Sequence, residues 1–127
     1  MILGTGIDII EVERIRHSYT EFGEKFLKRI LLPKEIEYCL SFKNPAPNIA
    51  ARFSAKEAIS KAFGTGIGES VGWKDMEVGK RDSGQPFVIL HEKGLELLNR
   101  MGGLTIHLSL SHTLAYACAV AVIEGER

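Results

Sequence analysis

The sequence predicts an α+β fold, with an antiparallel sheet packed against one long central helix and shorter helices. Three observations predict it. A β-branched, alternating stretch, "ILGTGIDII", opens the chain. Helical spacing fills much of residues 20–63, and two further alternating stretches, "LTIHLSLSH" and "LAYACAVAVIE", close it.

Taken in order, "ILGTGIDII" reads as a strand that carries one acid, Asp8, in an otherwise apolar run. "TEFGEKFLKRIL" and "PKEIEYCLSF" have helical spacing, and Pro33 suits a first helical turn, where its missing N–H is not needed. "KNPAPN" breaks the chain before a long helix over about residues 48–63, which Gly64, Gly66 and Gly68 end in a loop open to positive φ. "MEVGKRDSGQPFVIL" reads as a hairpin turning at Asp82-Ser83-Gly84-Gln85, and "EKGLELLNRMGG" as a short amphipathic helix stopped by Gly102. In the last strand Leu114, Tyr116, Cys118, Val120 and Val122 share one face, and Ala115, Ala117, Ala119 and Ala121 line the other. The long helix has its own small-residue side, Ala51, Ala55, Ala58 and Ala62. These two alanine surfaces invite close packing, against each other or against another subunit.

At 127 residues the chain is read as one domain, residues 1–127, with the 45% apolar and 25% charged composition of a globular protein. Its longest apolar run, Leu114 to Ile123, is about half of what a membrane-spanning helix needs, so no membrane partner is expected. No basic, apolar leader opens the chain, which places it in the cytoplasm. Cys39 and Cys118 have no metal-ligand or redox spacing and read as reduced structural thiols. A net charge of zero argues against nucleic acid. The balance is uneven, however: Arg14, Arg16, Lys25, Lys28 and Arg29 face only Glu21 and Glu24 within residues 14–29. Such a patch suits one acidic partner met at one face, and a solvated helix face explains it as well.

The chemistry concentrates in "RFSAKEAISKAFGTGIG", residues 52–68. At about 100° per residue Arg52 and Lys56 fall in the sector of Ile49, Phe53, Ile59 and Phe63, with Glu57 and Lys61 along its edge. Four charges on a helix that should bury itself need an explanation. A lone carboxylate is costly to bury, so Asp8 and Glu57 need compensation, and if strand and helix pack together the two converge on a cation. With no Cys/His cluster to suggest zinc, two carboxylates completed by water and phosphate oxygens describe a Mg²⁺ site. An ordinary salt-bridged carboxylate accounts for either acid taken alone, and Glu57 with Lys61 has the spacing of a routine helix ion pair. Arg52, Lys56 and Lys61 beside the glycine-rich loop form an anion-binding arrangement, in which backbone N–H groups of "GTGIG" can approach phosphate. The spacing is not that of a P-loop. In "HLSLSHT", alternation sets His107, Ser109 and Ser111 against Leu108, Leu110 and His112. Ser111, His112 and Thr113 could hold a phosphate at the strand's end, while a structural histidine is the plainer account.

Four segments, "GIDIIEVERI", "RFSAKEAISKAFGTGIG", "SGQPF" and "HLSLSHT", run in order over nearly the whole chain. Together they resemble the holo-[acyl-carrier-protein] synthases, the small trimeric class of 4′-phosphopantetheinyl transferases. The resemblance implies that fold and a Mg²⁺-dependent transfer of 4′-phosphopantetheine from coenzyme A to a serine of apo acyl carrier protein. Adenosine 3′,5′-bisphosphate is released, in support of fatty acid biosynthesis. It implies Asp8 and Glu57 as Mg²⁺ ligands, Lys61 as the lysine at the bridging phosphates, and Asp8, Glu57 and Lys61 together as the catalytic group. It further implies coenzyme A contacts from Arg52, Phe53 and Lys56, and from the loop Gly64, Thr65, Gly66, Ile67 and Gly68. Ser83, Gly84 and Pro86 fall near the adenosine end, and Ser111 and His112 near the 3′-phosphate. Lys43 matches the first member of a basic pair whose second position is Asn44 here. By the same resemblance the acidic carrier protein meets Arg14, Arg16, Lys25, Lys28 and Arg29, and three subunits form a homotrimer with sites between them. A coenzyme A-binding module without transferase activity, and a structural trimer with an ionic interface, are the competing readings.

Overall fold

The computed structural model describes residues 1–126. Strand β1 (Ile2–Glu11) leads directly into helix α1 (Val12–Phe22), followed by α2 (Glu24–Ile30), α3 (Pro33–Leu40) and the long α4 (Ala46–Phe63). A hairpin of β2 (Met76–Lys80) and β3 (Pro86–Leu90), helix α5 (Glu92–Arg100) and strands β4 (Gly103–His112) and β5 (Tyr116–Gly125) complete the chain. The antiparallel sheet has the order β1-β5-β4, and β2-β3 forms a separate two-stranded sheet. The α+β architecture built on one long helix is as expected from the sequence.

Two helix boundaries differ from the sequence reading. The helical stretch expected over residues 20–31 is two helices broken at Gly23, whose φ of 58° is left-handed and whose N–H closes α1 on the Tyr19 carbonyl at 2.7 Å. Helix α4 starts before Asn48, with Pro47 inside its first turn, where a missing N–H costs nothing.

The alanine surfaces pack on each other. Ala55, Ala58 and Ala62 of α4 share one core cluster with Ala119 and Ala121 of β5. Gly4 and Gly6 let β1 come equally close: a Cβ on Gly4 would lie 2.0 Å from the Ala62 carbonyl oxygen. A second cluster joins Ile49, Ala50 and Ala51 to Val12, Ile15, Leu27 and Ile30. With the sheet on one side and the small helices on the other, α4 is buried almost all round. Only Asn48, Phe53, Glu57 and Lys61 escape. The last three lie on one i, i+4 row, a single open stripe rather than an amphipathic face.

Among the described residues, no helix packs on the other face of the three-stranded sheet at Ile7 and Ile9. Register places Ile7 beside Val120 and Ser109, and Ile9 beside Cys118 and Ser111, on the side away from α4. Ile7 and Ile9 are 70% and 67% exposed there.

Candidate active site

The open stripe of α4 meets β1 at Asp8. Alternation turns Asp8 to the helix side of the sheet, where it pairs with Ala119, and Ser54 Oγ donates to its backbone carbonyl at 3.0 Å. Lys61 Nζ reaches across from α4 to donate to Asp8 Oδ1 at 3.1 Å and to the Ile7 carbonyl at 3.0 Å. Lys61 therefore bridges to the strand acid rather than making only the helix pair that its spacing to Glu57 suggests. Glu57 lies close enough to feel that strand acid. Burial first, and then the like charge of Asp8, push its carboxyl above the usual range, while Lys61 pulls it back. Asp8 and Glu57 thus stand within reach of each other's charge, on a strand and a helix that the glycines of β1 seat together.

Two carboxylates and one ammonium leave a concentrated, only partly neutralised negative charge. Among the described residues no cluster of three or more His, Cys, Asp or Glu side chains could hold a metal by itself. A hard divalent cation that takes further oxygens from a phosphate substrate fits the two acids, because it relieves the repulsion that raises Glu57.

Further along α4, a cavity of about 180 Å³ opens between α3, α4, the hairpin and the end of β4. Arg52, Gly84, Pro86 and His112 line it, so residues expected near the nucleotide are gathered from three separate segments. The Arg52 guanidinium lies 4.2 Å from the centre of the Tyr38 ring, and its Nε, buried, has no hydrogen-bond partner. A cationic fork with a donor to spare, held on an aromatic face at a cavity wall, is suited to an anion. Lys80 also lines the cavity and donates to the Tyr38 hydroxyl at 3.3 Å, while Ser83 joins Gly84 in an adjoining depression.

Several expected contacts are corrected by the structure. Lys56 does not face the site: it is fully buried, and its Nζ donates to Glu35 Oε1 and to the Ile30 carbonyl, both at 2.7 Å. Burial pushes its pKa down, and the Glu35 charge counters this. The rotation that put Lys56 beside Arg52 was right, but α3 covers that side of the helix. Phe53 packs on the Trp73 ring, with centroids 4.8 Å apart, does not line this cavity, and keeps part of its surface on the open stripe with Glu57 and Lys61. In the glycine loop, the N–H groups of Gly64, Thr65 and Gly66 return to carbonyls of the last turn of α4, and Gly68 N–H donates to Val71. They are committed to ending the helix, which leaves the loop a bare surface rather than a ring of free donors. Nothing lies within 4 Å of where Cβ atoms on Gly64, Gly66 or Gly68 would stand, and Ile67 anchors the loop against the core. Ser111 lies on the outer face of β4 beside Cys118, opposite in direction to His112. Lys43 is exposed and does not line the cavity, and Asn44 accepts from Arg16 Nη2 at 3.2 Å.

In the basic segment Arg14, Lys25, Lys28 and Arg29 are exposed on α1 and α2. Arg16 is taken up by Glu13 and Asn44, and Lys28 lies 3.7 Å from Glu24. Sequence reasoning missed Tyr38, Lys80 and Glu35. Tyr38 and Glu35 sit at ordinary helical spacing in "PKEIEYCL", and nothing local distinguishes a residue under Arg52 or Lys56 from any other helix position.

A long helix laid across a β1-β5-β4 sheet, with two acids at one end and a cavity lined by basic side chains further along it, is the architecture to set beside known proteins. A model of the 4′-phosphopantetheinyl transferase superfamily matches residues 4–121. A holo-[acyl-carrier-protein] synthase of Koribacter versatilis is 50% identical over 124 residues, covering 98% of this chain and 99% of the relative. The crystal structure of the Neisseria meningitidis holo-[acyl-carrier-protein] synthase superposes with a TM-score of 0.91 at 34% identity, covering 98% of this chain and 99% of that one. That of the Helicobacter pylori synthase in complex with coenzyme A does so with a TM-score of 0.84 at 34% identity, covering 94% and 99%. The chain belongs to the 4′-phosphopantetheinyl transferase superfamily and, within it, to the holo-[acyl-carrier-protein] synthase family of enzymes.

Proposed function

We propose that this protein moves the 4′-phosphopantetheine group of coenzyme A onto a serine of apo acyl carrier protein. The reaction depends on Mg²⁺, releases adenosine 3′,5′-bisphosphate and equips the carrier for fatty acid biosynthesis. The observation that carries the reading is the meeting of Asp8 and Glu57 beside Lys61, at one end of a helix whose other half offers Arg52 to a cavity. From Arg52 to Lys61 the helix rises about 13 Å, enough to run alongside a nucleotide and its diphosphate.

Asp8 and Glu57 would hold the divalent ion, which when bound supplies positive charge to the diphosphate oxygens and draws electron density from the reacting phosphorus. The carrier's serine oxygen bonds to the β-phosphorus as the bond from that phosphorus to the bridging oxygen breaks. Glu57, the acid beside the reacting phosphorus, accepts the serine proton. Lys61 stands at Asp8 and neutralises charge on the departing bisphosphate. Arg52, stacked on Tyr38 at the cavity wall, offers its guanidinium charge to the nucleotide's phosphate, and Gly84 and Pro86 border the same cavity.

Arg14, Lys25 and Arg29, which have no ion-pair partner among the described residues, present the docking charge for the acidic carrier protein. The bare outer face of the sheet, with Ile7, Ile9, Tyr116 and Val120, supports a homotrimer in which that face is covered by neighbouring copies. Two free cysteines, one of them buried, suit the cytoplasm. Among the described residues no helix is long and apolar enough to cross a membrane. The test is mass spectrometry of apo carrier protein incubated with coenzyme A, with and without Mg²⁺. One phosphopantetheine gained on serine only with the metal is expected, and an unmodified carrier under both conditions overturns the proposal.

A further inference from the structure

One buried charge network lies outside the reacting centre yet joins the parts that surround it. Glu35 is buried on α3, and its two oxygens take three donors from three places. Oε1 accepts from the Leu32 N–H at 2.9 Å and from Lys56 Nζ at 2.7 Å, and Oε2 accepts from the Val78 N–H at 3.0 Å. Lys56 gives a second hydrogen bond, at 2.7 Å, to the carbonyl of Ile30 at the end of α2. An ion pair this deeply enclosed is a weak source of stability, since removing both charges from water offsets most of their attraction, and apolar pairs of equal volume often serve as well. Its distinctive contribution is direction, because every donor comes at a defined angle from a different element.

The bond to Val78 has the clearest consequence. Strand β2 pairs only with β3, and no backbone ladder ties this hairpin to the β1-β5-β4 sheet. The hairpin forms one wall of the cavity through Val78, Gly79, Lys80, Gly84 and Pro86, and α4 forms the facing wall through Arg52. Glu35 is the side chain that hydrogen-bonds both, β2 through Val78 N–H and α4 through Lys56.

We propose that Glu35 is a positioning residue for coenzyme A: its carboxylate pins the hairpin wall to α4 and sets Gly79 and Lys80 at a fixed distance from Arg52. The inference rests on the coenzyme A reading above. It predicts a defect in coenzyme A binding larger than any in carrier docking, because Glu35 holds the hairpin wall directly and reaches the end of α2 only through Lys56.

The experiment compares wild type, Glu35→Gln and the double variant Glu35→Leu with Lys56→Met, all as full-length protein. Calorimetric Kd for coenzyme A, KM for coenzyme A and for apo carrier protein, and Tm are measured. The uncharged double variant should fold with a Tm near that of wild type. Its Kd and KM for coenzyme A should nevertheless rise about tenfold, the worth of one hydrogen bond to a charged group. Its KM for the carrier should rise much less, through the loss of the Lys56 contact to the end of α2. Glu35→Gln, which keeps the volume and loses one acceptor, should show the same selectivity at a temperature well below its midpoint, and it serves as the test if the double variant does not fold. Unchanged coenzyme A affinity in either folded variant overturns the inference, as does an equal rise of both KM values. Failure of the wild type to bind coenzyme A would instead overturn the underlying reading, and this inference with it.

Discussion

Replacing Gly6 by alanine tests how the active site is assembled. An ideal Cβ at Gly6 would stand 1.9 Å from the Ala58 carbonyl oxygen and 2.8 Å from the Ala62 nitrogen. Both are backbone atoms of α4, so no side chain can swing aside. Ordinary contact begins at 3.4 Å, and helix and strand would have to part by about 1.5 Å. Overpacking of this kind costs about 1–3 kcal/mol, or roughly 3–15 °C in Tm for a chain of this size. The same displacement acts on the site, because Asp8 follows Gly6 on the same face of β1 and Glu57 adjoins Ala58 on α4. A misplacement of about 1 Å at reacting groups costs on the order of a hundredfold in rate. Thermal melts and initial rates of phosphopantetheine transfer, the rates taken well below both midpoints, measure the two effects. A Gly6→Ala protein that melts and turns over like wild type would refute the claim that this glycine seats the strand acid on the helix acid. Gly68→Ala, where nothing lies within 4 Å of the added atom, is the stability control and should leave Tm unchanged.

Glu57→Gln removes a carboxylate that burial and Asp8 both disfavour, so it should raise the Tm of the metal-free protein while abolishing transfer. Added Mg²⁺ should stabilise wild type and not the variant, and a variant that is less stable and still active would remove Glu57 from the role given to it. Arg14→Glu should raise the KM for carrier protein far more than that for coenzyme A, since Arg14 is exposed and unpaired among the described residues. Equal rises would mean a folding defect. Burial pushes the Cys39 thiol up to about 11, so it should resist iodoacetamide at pH 8 in the native protein and be alkylated in urea, as peptide mapping by mass would show. Its folded pKa is raised, so the unfolded chain loses this proton first. Stability should be independent of Cys39 below pH 9 and fall by about 1.4 kcal/mol per pH unit between 9 and about 11. Cys39→Ala should remove that slope in denaturant titrations.

Much of the architecture was legible in the chain, because alternation and helical spacing are local. The strand with Asp8, the hairpin turning at Ser83-Gly84 and the alanine face of the last strand all follow from which residues come at every second or every third and fourth position. The residues proposed for the reacting centre stood out in the chain too: an acid in an apolar strand, and an acid with a lysine four residues on beside glycines, each demand compensation wherever they lie. Direction was not legible. Helical rotation puts Arg52 and Lys56 side by side, yet one opens on a cavity and the other is sealed, because α3 meets Arg52 with the Tyr38 ring at a cavity wall and meets Lys56 with the buried Glu35 carboxylate. The glycine loop's N–H groups looked available until the end of α4 claimed them. Whether a charge faces solvent, ligand or another charge depends on which element covers it. That is set by contacts such as Glu35 with Val78, 43 residues apart, which no local pattern of residues records.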